Sequence, residues 1–330
     1  ETRITNTGNT FKSGGNFSRT ATENIVDQAT EVESGGNIDQ TAKVIRDEAV
    51  HDSYTKTEES EEHDVRVGVY AGGSAEASGE ADAALKGRNN HGTGKDAEAA
   101  AGVSAQYEMD ESSGFEENKT AVISKFKSGG NITSKSEEAT TLVGTKFESA
   151  GDTTIEAGSL DYQAAQDSTT TRESTNKIAA EAKLALYGSE GGKAEAEYEH
   201  GTKNTDSRTA KAGSINAGGN LTIKTKEDTK LVGTSLSAGN QASIEAGGDV
   251  DFQAAKSTTS STEGTLGASA SVSATKSNKG MEAELEGGYA NEKSETAVEG
   301  GIKSGSGGTS IISKTGSVKL EGTQLDSNGV

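Results

Sequence analysis

Two stretches 89 residues apart read almost alike, and that periodicity constrains this chain more than any single motif does. Ile215-Asn-Ala-Gly-Gly-Asn220-Leu-Thr-Ile-Lys repeats the pattern of Phe126-Lys-Ser-Gly-Gly-Asn131-Ile-Thr-Ser-Lys, and Leu231-Val-Gly-Thr234 repeats Leu142-Val-Gly-Thr145. The same offset carries Leu231 to Leu320, where Leu-Glu-Gly-Thr323 answers. Ile155-Glu-Ala-Gly and Tyr162-Gln-Ala-Ala165 return as Ile244-Glu-Ala-Gly and Phe252-Gln-Ala-Ala255, the second with a one-residue insertion. Self-similarity at a fixed period marks a repeat architecture, in which each unit buries its apolar face against its neighbours.

Leu, Ile, Val and Phe together make up 48 of 330 residues, few enough to suit a disordered chain. Disordered segments are usually enriched in proline, however, and ordinary usage of about 5% would place roughly 16 prolines here. The chain has none. Its complete absence points to a backbone whose N–H groups are nearly all needed for ladder hydrogen bonds. A solenoid buries only a thin file of side chains per coil, so sparse apolar residues suffice.

Within the period, two textures alternate. The first is a short coil. Phe11-Lys-Ser-Gly14-Gly15-Asn16 recurs 21 residues on as Val32-Glu-Ser-Gly35-Gly36-Asn37, and the corner returns as Gly129-Gly130-Asn131 and Gly218-Gly219-Asn220. Gly and Asn tolerate positive φ and so mark corners, while alternation such as Leu221 and Ile223 points one side chain in and the next out. A coil of some twenty residues with two or three short strands predicts a parallel β-helix, an all-β β-solenoid, with Asn16, Asn37, Asn131 and Asn220 at equivalent corners where stacked amides bond to one another.

The second texture is a long excursion. Coil groups fall at about 1–42, 123–165, 213–255 and 303–330, and excursions at about 43–122, 166–212 and 256–302. Leu266, Ala268, Ala270 and Val272 alternate with small polar residues, then after a turn Met281, Ala283, Leu285 and Tyr289 do the same. These excursions read as β-hairpins carrying one apolar stripe, either packed on the flank of the solenoid or left open to another surface. Alternation favours strands over an Ala-rich helix at 176–186, and the first excursion is long enough for two hairpins.

At this point the residues resemble a known family. The string from Leu231 to Thr259, followed by Gly267-Ala-Ser-Ala-Ser-Val-Ser273, is similar to the haemagglutinin repeat of filamentous haemagglutinin-type exoproteins, the secreted partners of two-partner secretion systems, which include contact-dependent growth inhibition exoproteins. The resemblance spans nearly the whole chain in three repeats and a truncated fourth. It implies a right-handed parallel β-helix forming the shaft of a large surface protein, an outer-membrane transporter as secretion partner, and a secreted, cell-surface location with a stage held in the periplasm. In the inhibition exoproteins such repeats lie ahead of a toxin and are associated with moving it across the target's outer membrane, so the target's outer membrane or a receptor is an implied partner. An adhesin shaft is the alternative. The first unit lacks the Leu-Val-Gly-Thr element and a short arc, which leaves its number of coils open.

No constellation of catalytic residues can be assembled from the sequence, and no enzyme activity is expected. His51, His63, His91 and His200 lie in the excursions without metal-ligand spacing, so neither a metal nor a cofactor is expected. Asp249-Val-Asp251 lacks the surrounding glycine pattern of a calcium nonapeptide and reads as a corner followed by a strand. Asn89-Asn-His-Gly-Thr-Gly-Lys95 lacks the spacing of a phosphate loop and reads as a hairpin turn. Of the sequons beginning at Asn16, Asn118, Asn131 and Asn220, three are explained by the corners. A net charge of −20 sets the chain against nucleic acid, and the shortage of aromatic residues sets it against sugar cleavage or binding. Without cysteine there is no disulfide or thiol chemistry. No apolar run approaches the ~18 residues of a membrane-spanning helix, and the chain reads as a segment of something longer.

Overall fold

The computed structural model describes residues 1–73, 99–187, 191–275 and 278–328. Three parallel sheets of eight, seven and seven strands wrap one another as the faces of a β-helix, and a fourth, antiparallel sheet stands beside them as a wing.

Each coil contributes one strand to each face. The first coil is Thr10–Ser13, Phe17–Thr20 and Asn24–Gln28, and the second is Glu31–Ser34, Ile38–Ala42 and Val44–Glu48. Five more complete coils follow, and Thr323–Ser327 begins another. The register stacks like on like. One inward column runs Phe11, Val32, Phe126, Phe147, Ile215, Leu236, Ile302 and Leu325. A second ends Ile155, Ile223, Ile244 and Ile311, and a third ends Leu142, Tyr162, Leu231, Phe252 and Leu320. Every second residue of a strand points inward, so a few such columns form the whole core, and this is how so few large apolar residues hold the molecule together. Phe126 and Phe147 stack with ring centroids 5.1 Å apart.

Gly-Gly-Asn corners owe their composition to close stacking and not to positive φ. Among the described glycines only Gly144, Gly233, Gly308 and Gly322 have positive φ. At the corners the constraint is the coil below: a Cβ on Gly36, Gly130 or Gly219 would lie 2.2–2.3 Å from the side-chain oxygen of Asn16, Asn37 or Asp152 respectively. That oxygen is engaged. Asn16 Oδ1 accepts from the Asn37 backbone N–H at 2.9 Å, Asn37 Oδ1 from Asn131 N–H at 2.9 Å, Asn131 Oδ1 from Asp152 N–H at 2.8 Å, and Asp152 Oδ1 from Asn220 N–H at 2.6 Å. The ladder therefore runs mainly from side chain to backbone, with amide-to-amide contact at Asn240 Nδ2 and Asn220 Oδ1, 2.8 Å apart.

Leu-Val-Gly-Thr elements join one coil to the next where no hairpin intervenes. Gly144, Gly233 and Gly322 take left-handed φ values of 65°, 57° and 57°. In the first unit the same slot is filled by Gln28-Ala29-Thr30, with Ala29 at φ 52°. The missing element is thus present in structure with Ala in place of Gly, and the first unit has two coils like the others.

The threonine that follows the turn is fully buried at Thr145 and Thr234, and neither hydroxyl has a hydrogen-bond partner. A buried hydroxyl without a partner keeps its desolvation cost. Thr145→Val and Thr234→Val, which keep the shape, are each expected to raise stability by about 1 kcal/mol, read as a higher urea midpoint at unchanged slope; a lowered midpoint would mean that the hydroxyl is bonded.

Three hairpins build the wing: Val50–Gly73 with Ala99–Val122, Ala165–Tyr187 with Gly192–Lys211, and Ala255–Ala274 with Lys279–Val298. The first leaves the solenoid at Val50 and not at residue 43, because Val44–Glu48 still belongs to a coil. Its described strands form one hairpin, Val65 facing Tyr107 and Val69 facing Val103, where the sequence allowed two. Residues 176–186 are strand. Neighbouring hairpins pair with each other, Ser168 with Lys119 through Tyr187 with Ala101, and Arg208 with Thr258 through Gly192 with Ala274. The geometry that permits this is simple: two coils rise by about 9.6 Å along the shaft, and one hairpin is two strands, also about 9.6 Å, wide. Successive hairpins therefore arrive in hydrogen-bonding distance of one another and merge into one sheet.

Candidate functional site

In an antiparallel pair, residues directly opposite one another share a face of the sheet. Applied strand by strand, the register gives the outer half of the wing, next to the hairpin tips, two unlike faces. One row across six strands reads Val67, Ala105, Ala182, Ala194, Val272 and Met281. The next reads Val65, Tyr107, Ala180, Ala196, Ala270 and Ala283, and the third His63, Met109, Ile178, Tyr198, Ala268 and Leu285. Leu266 stands one row further toward the solenoid, opposite Gly287, and Tyr289 one row beyond that, opposite Gly264. All eight stripe residues singled out in the third hairpin thus share this face, and the other two hairpins extend it.

The stripe is not packed on the solenoid. Val67 is 80% exposed, Met281 79%, Leu285 75% and Tyr289 75%, values that leave these side chains in water. Val103, Leu184 and Val272 line a shallow apolar depression with Ala105, Ala182 and Ala194.

The opposite face carries the charge. Its rows are Arg66, Gln106, Glu181, Glu195, Ser271 and Glu282; then Asp64, Glu108, Ala179, Glu197, Ser269 and Glu284; then Glu62, Asp110, Lys177, Glu199, Gly267 and Glu286. Eleven carboxylates stand there against Arg66 and Lys177. Lys177 reaches Glu108 at 2.9 Å, and that bond and charge hold its ammonium above the ordinary lysine value. Lys183, bonded to Glu181 at 2.8 Å, keeps that carboxyl below its ordinary value.

The other residues singled out in the sequence do not converge on a reaction centre. His51 Nε2 lies 2.9 Å from the Gln166 carbonyl at the base of the wing, His63 lies between the Tyr107 hydroxyl at 3.0 Å and Glu61 at 2.8 Å, and His200 Nδ1 meets Asn176 Oδ1 at 2.6 Å. His91 and the 89–95 stretch lie outside the described residues. Among the described residues no three His, Asp or Glu side chains come together in a way that could hold a metal ion. Asp249 is a corner residue whose Oδ1 accepts from the Ser317 N–H at 2.6 Å and its hydroxyl at 3.0 Å, bonds that lower its pKa. Asp251 bonds Gln253 at 2.7 Å within its strand. Asn16, Asn131 and Asn220 sit in the corner ladder, and Asn118 bonds Glu116 on the wing.

One buried polar group went unnoticed in the sequence. In the first two coils one inward column carries Arg19 and Gln40, followed by Ser134 before it turns apolar at Ile155, and another carries Asp27 and Asp47 before it turns apolar at Leu142. Arg19 bonds Asp27 and Gln40 and lies over the Phe126 ring, 5.4 Å from its centroid. Asp47 is fully buried beside Asp27, and neither of its carboxyl oxygens accepts a hydrogen bond. Burial, then the charge of Asp27, pushes its pKa well above the ordinary carboxylate value. Burial pushes Asp27 the same way and is the largest single influence, but the bond and charge of Arg19 together with hydrogen bonds from Asp47 and Thr30 outweigh it and leave its pKa lowered. The signal was available as Asp27 and Asp47 falling on inward positions of the alternation, visible only once coils are aligned.

The family model for the hemagglutinin repeat matches residues 103–206 and 194–330. No curated protein and no solved structure matches the chain. The matched stretches cover two of the three hairpins whole, most of the second strand of the remaining one, and every coil from the third onward, so the texture that repeats in the sequence, the paired coils in the fold and the family pattern coincide: the chain belongs to the hemagglutinin-repeat family of filamentous haemagglutinin-type proteins, which form adhesin-like shafts on secreted and cell-surface proteins.

Proposed function

We propose that this segment is a length of stiff, non-enzymatic shaft in a large secreted bacterial exoprotein and that the shaft helps to deliver a C-terminal toxin to a neighbouring cell. The observation that supports the shaft is the continuity of the three parallel ladders through every described coil. A rod of this kind gains about 4.8 Å per coil and carries whatever lies beyond it without a hinge. Delivery is supported by the likeness to contact-dependent growth inhibition exoproteins. Export through a two-partner secretion transporter, with a stage held in the periplasm, suits a fold whose coils touch only their neighbours and so form progressively from whichever end emerges first. A chain with no cysteine and a net charge of −20 stays uncrosslinked and soluble on the way. Attachment to host cells or biofilm as an adhesin shaft is the second reading, favoured by the exposed apolar face of the wing, which gives the shaft a contact surface of its own.

Excising one repeat in register, residues 123–211, from the parent exoprotein tests this. Surface display is expected to persist while toxin transfer to target cells falls. Unchanged transfer would overturn the delivery reading, and a selective loss of cell attachment would favour the adhesin.

A further inference from the structure

The two faces of the wing are so unlike that one of them calls for a partner. Over its three central rows the apolar face carries no carboxylate, ammonium or guanidinium, its titratable groups being His63 at the margin and the Tyr107 and Tyr198 hydroxyls, while the reverse carries eleven carboxylates. We propose that this apolar face packs against the same face of a second copy of the chain, so that two wings close into a sandwich of antiparallel sheets.

Area is the first support. Six strands at about 4.8 Å and four rows of alternate residues at about 6.8 Å, the fourth being Val69, Val103, Leu184, Gly192, Ala274 and Lys279 toward the tips, cover roughly 800 Å² per copy, or roughly 1,600 Å² in total, which is the size of a standard specific interface. Relief is the second. Ala180, Ala196 and Ala270 occupy the middle of the patch, and small side chains there let two sheets approach to the usual spacing of about 10 Å. Val67 and Leu285, on the outermost strands, stand at its rims.

The edges of the sheet favour protein over lipid as the occupant. The strand Val50–Gly73 is paired on its outer side only at Ser53–Thr55, by Thr2–Ile4, and Lys279–Val298 has no strand beyond it among the described residues. Open edges of this kind leave backbone groups unsatisfied in hydrocarbon, at several kcal/mol each, whereas in a sandwich bathed by water they stay hydrated. The acidic reverse face sets the stoichiometry. A third wing would have to stack on carboxylates, so association stops at two. With a net charge of −20 per copy, long-range repulsion opposes the dimer, and salt should strengthen it.

Sedimentation of the 330-residue chain from about 0.1 to about 100 µM, the range where an interface of this size is expected to dissociate, tests the proposal. The expected result is a monomer–dimer equilibrium, tighter in salt, weakened at least about 100-fold by Val67→Glu combined with Leu285→Glu and unchanged by Ser269→Glu on the acidic face. Both substituted apolar side chains are largely exposed, so the circular dichroism and melting temperature of the double variant should match the parent. A monomer at every concentration, a dimer that survives the double variant, or assemblies that grow beyond two would each overturn it. So would a chain that is monomeric in solution but floats with phosphatidylethanolamine–phosphatidylglycerol vesicles, which would assign the face to lipid. The shaft reading is independent of every one of these outcomes.

Discussion

Gly233→Ala should cost about 2–5 kcal/mol, the sum of a left-handed backbone for an L-residue and a forced overlap in a packed core. Gly233 has φ +57°, and a Cβ there would lie 2.4 Å from the Cβ of Ala255 and 3.3 Å from that of Ala164. Neither neighbour can swing away, since both are Cβ atoms fixed to backbone, Ala255 where the chain turns out into the third hairpin and Ala164 where it turns out into the second. Because each coil touches only its neighbours, the loss should concentrate locally. Hydrogen exchange is therefore the sharper measurement, with amides of 221–253 exchanging faster while those of 10–48 hold. Ala29→Gly provides the converse test in the equivalent slot of the first unit, where Ala already sits at φ 52°. Relief of that strain should raise stability by up to about 1 kcal/mol. A cost below about 1 kcal/mol for Gly233→Ala would show that the turn does not need its left-handed glycine.

Asp47→Leu should stabilise the N-terminal coils by about 1–4 kcal/mol, as when a buried charge site is replaced by an apolar residue. The column itself names the substitute, since Asp47 stands in register with Leu142. Asp27 keeps Arg19 as its partner in the variant, so no new charge is stranded. The pH dependence provides an independent check. Asp47 has a raised pKa in the folded state, so its penalty is absent below the ordinary carboxylate value near ~4 and grows as pH rises through the folded pKa. Asp27, whose folded pKa is lowered, works in reverse and loses its stabilising contribution as the solution becomes acidic. Wild-type stability should therefore decline from about pH 4 upward relative to Asp47→Asn, which keeps the volume and removes the titration. Thermal melts of both proteins across that range would decide it, and parallel curves would mean that the Asp47 carboxyl is not buried as described.

A stiff rod carrying one apolar, Ala-rich sheet face along its length is a surface on which neighbouring shafts could align, and two coils per hairpin keep that face continuous however many repeats are added.

Much of this architecture follows from the sequence alone. The 89-residue period, the alternation of inward residues and the recurring Gly-Gly-Asn corners determine an all-β solenoid with paired coils and hairpin excursions, because period-2 alternation and stacked corners are local properties that the order of residues expresses directly. Tertiary structure decided the rest. The corner glycines Gly36, Gly130 and Gly219 are required by the side-chain oxygen of the coil beneath, a neighbour 20 to 93 residues away in the chain. Ala29 stands in a glycine slot, and Asp27 and Asp47 occupy an apolar column, facts that emerge only when coils are laid in register. The merging of three separate stripes into one exposed face depends on the equality between the rise of two coils and the width of one hairpin, a distance in space that no single hairpin's sequence contains.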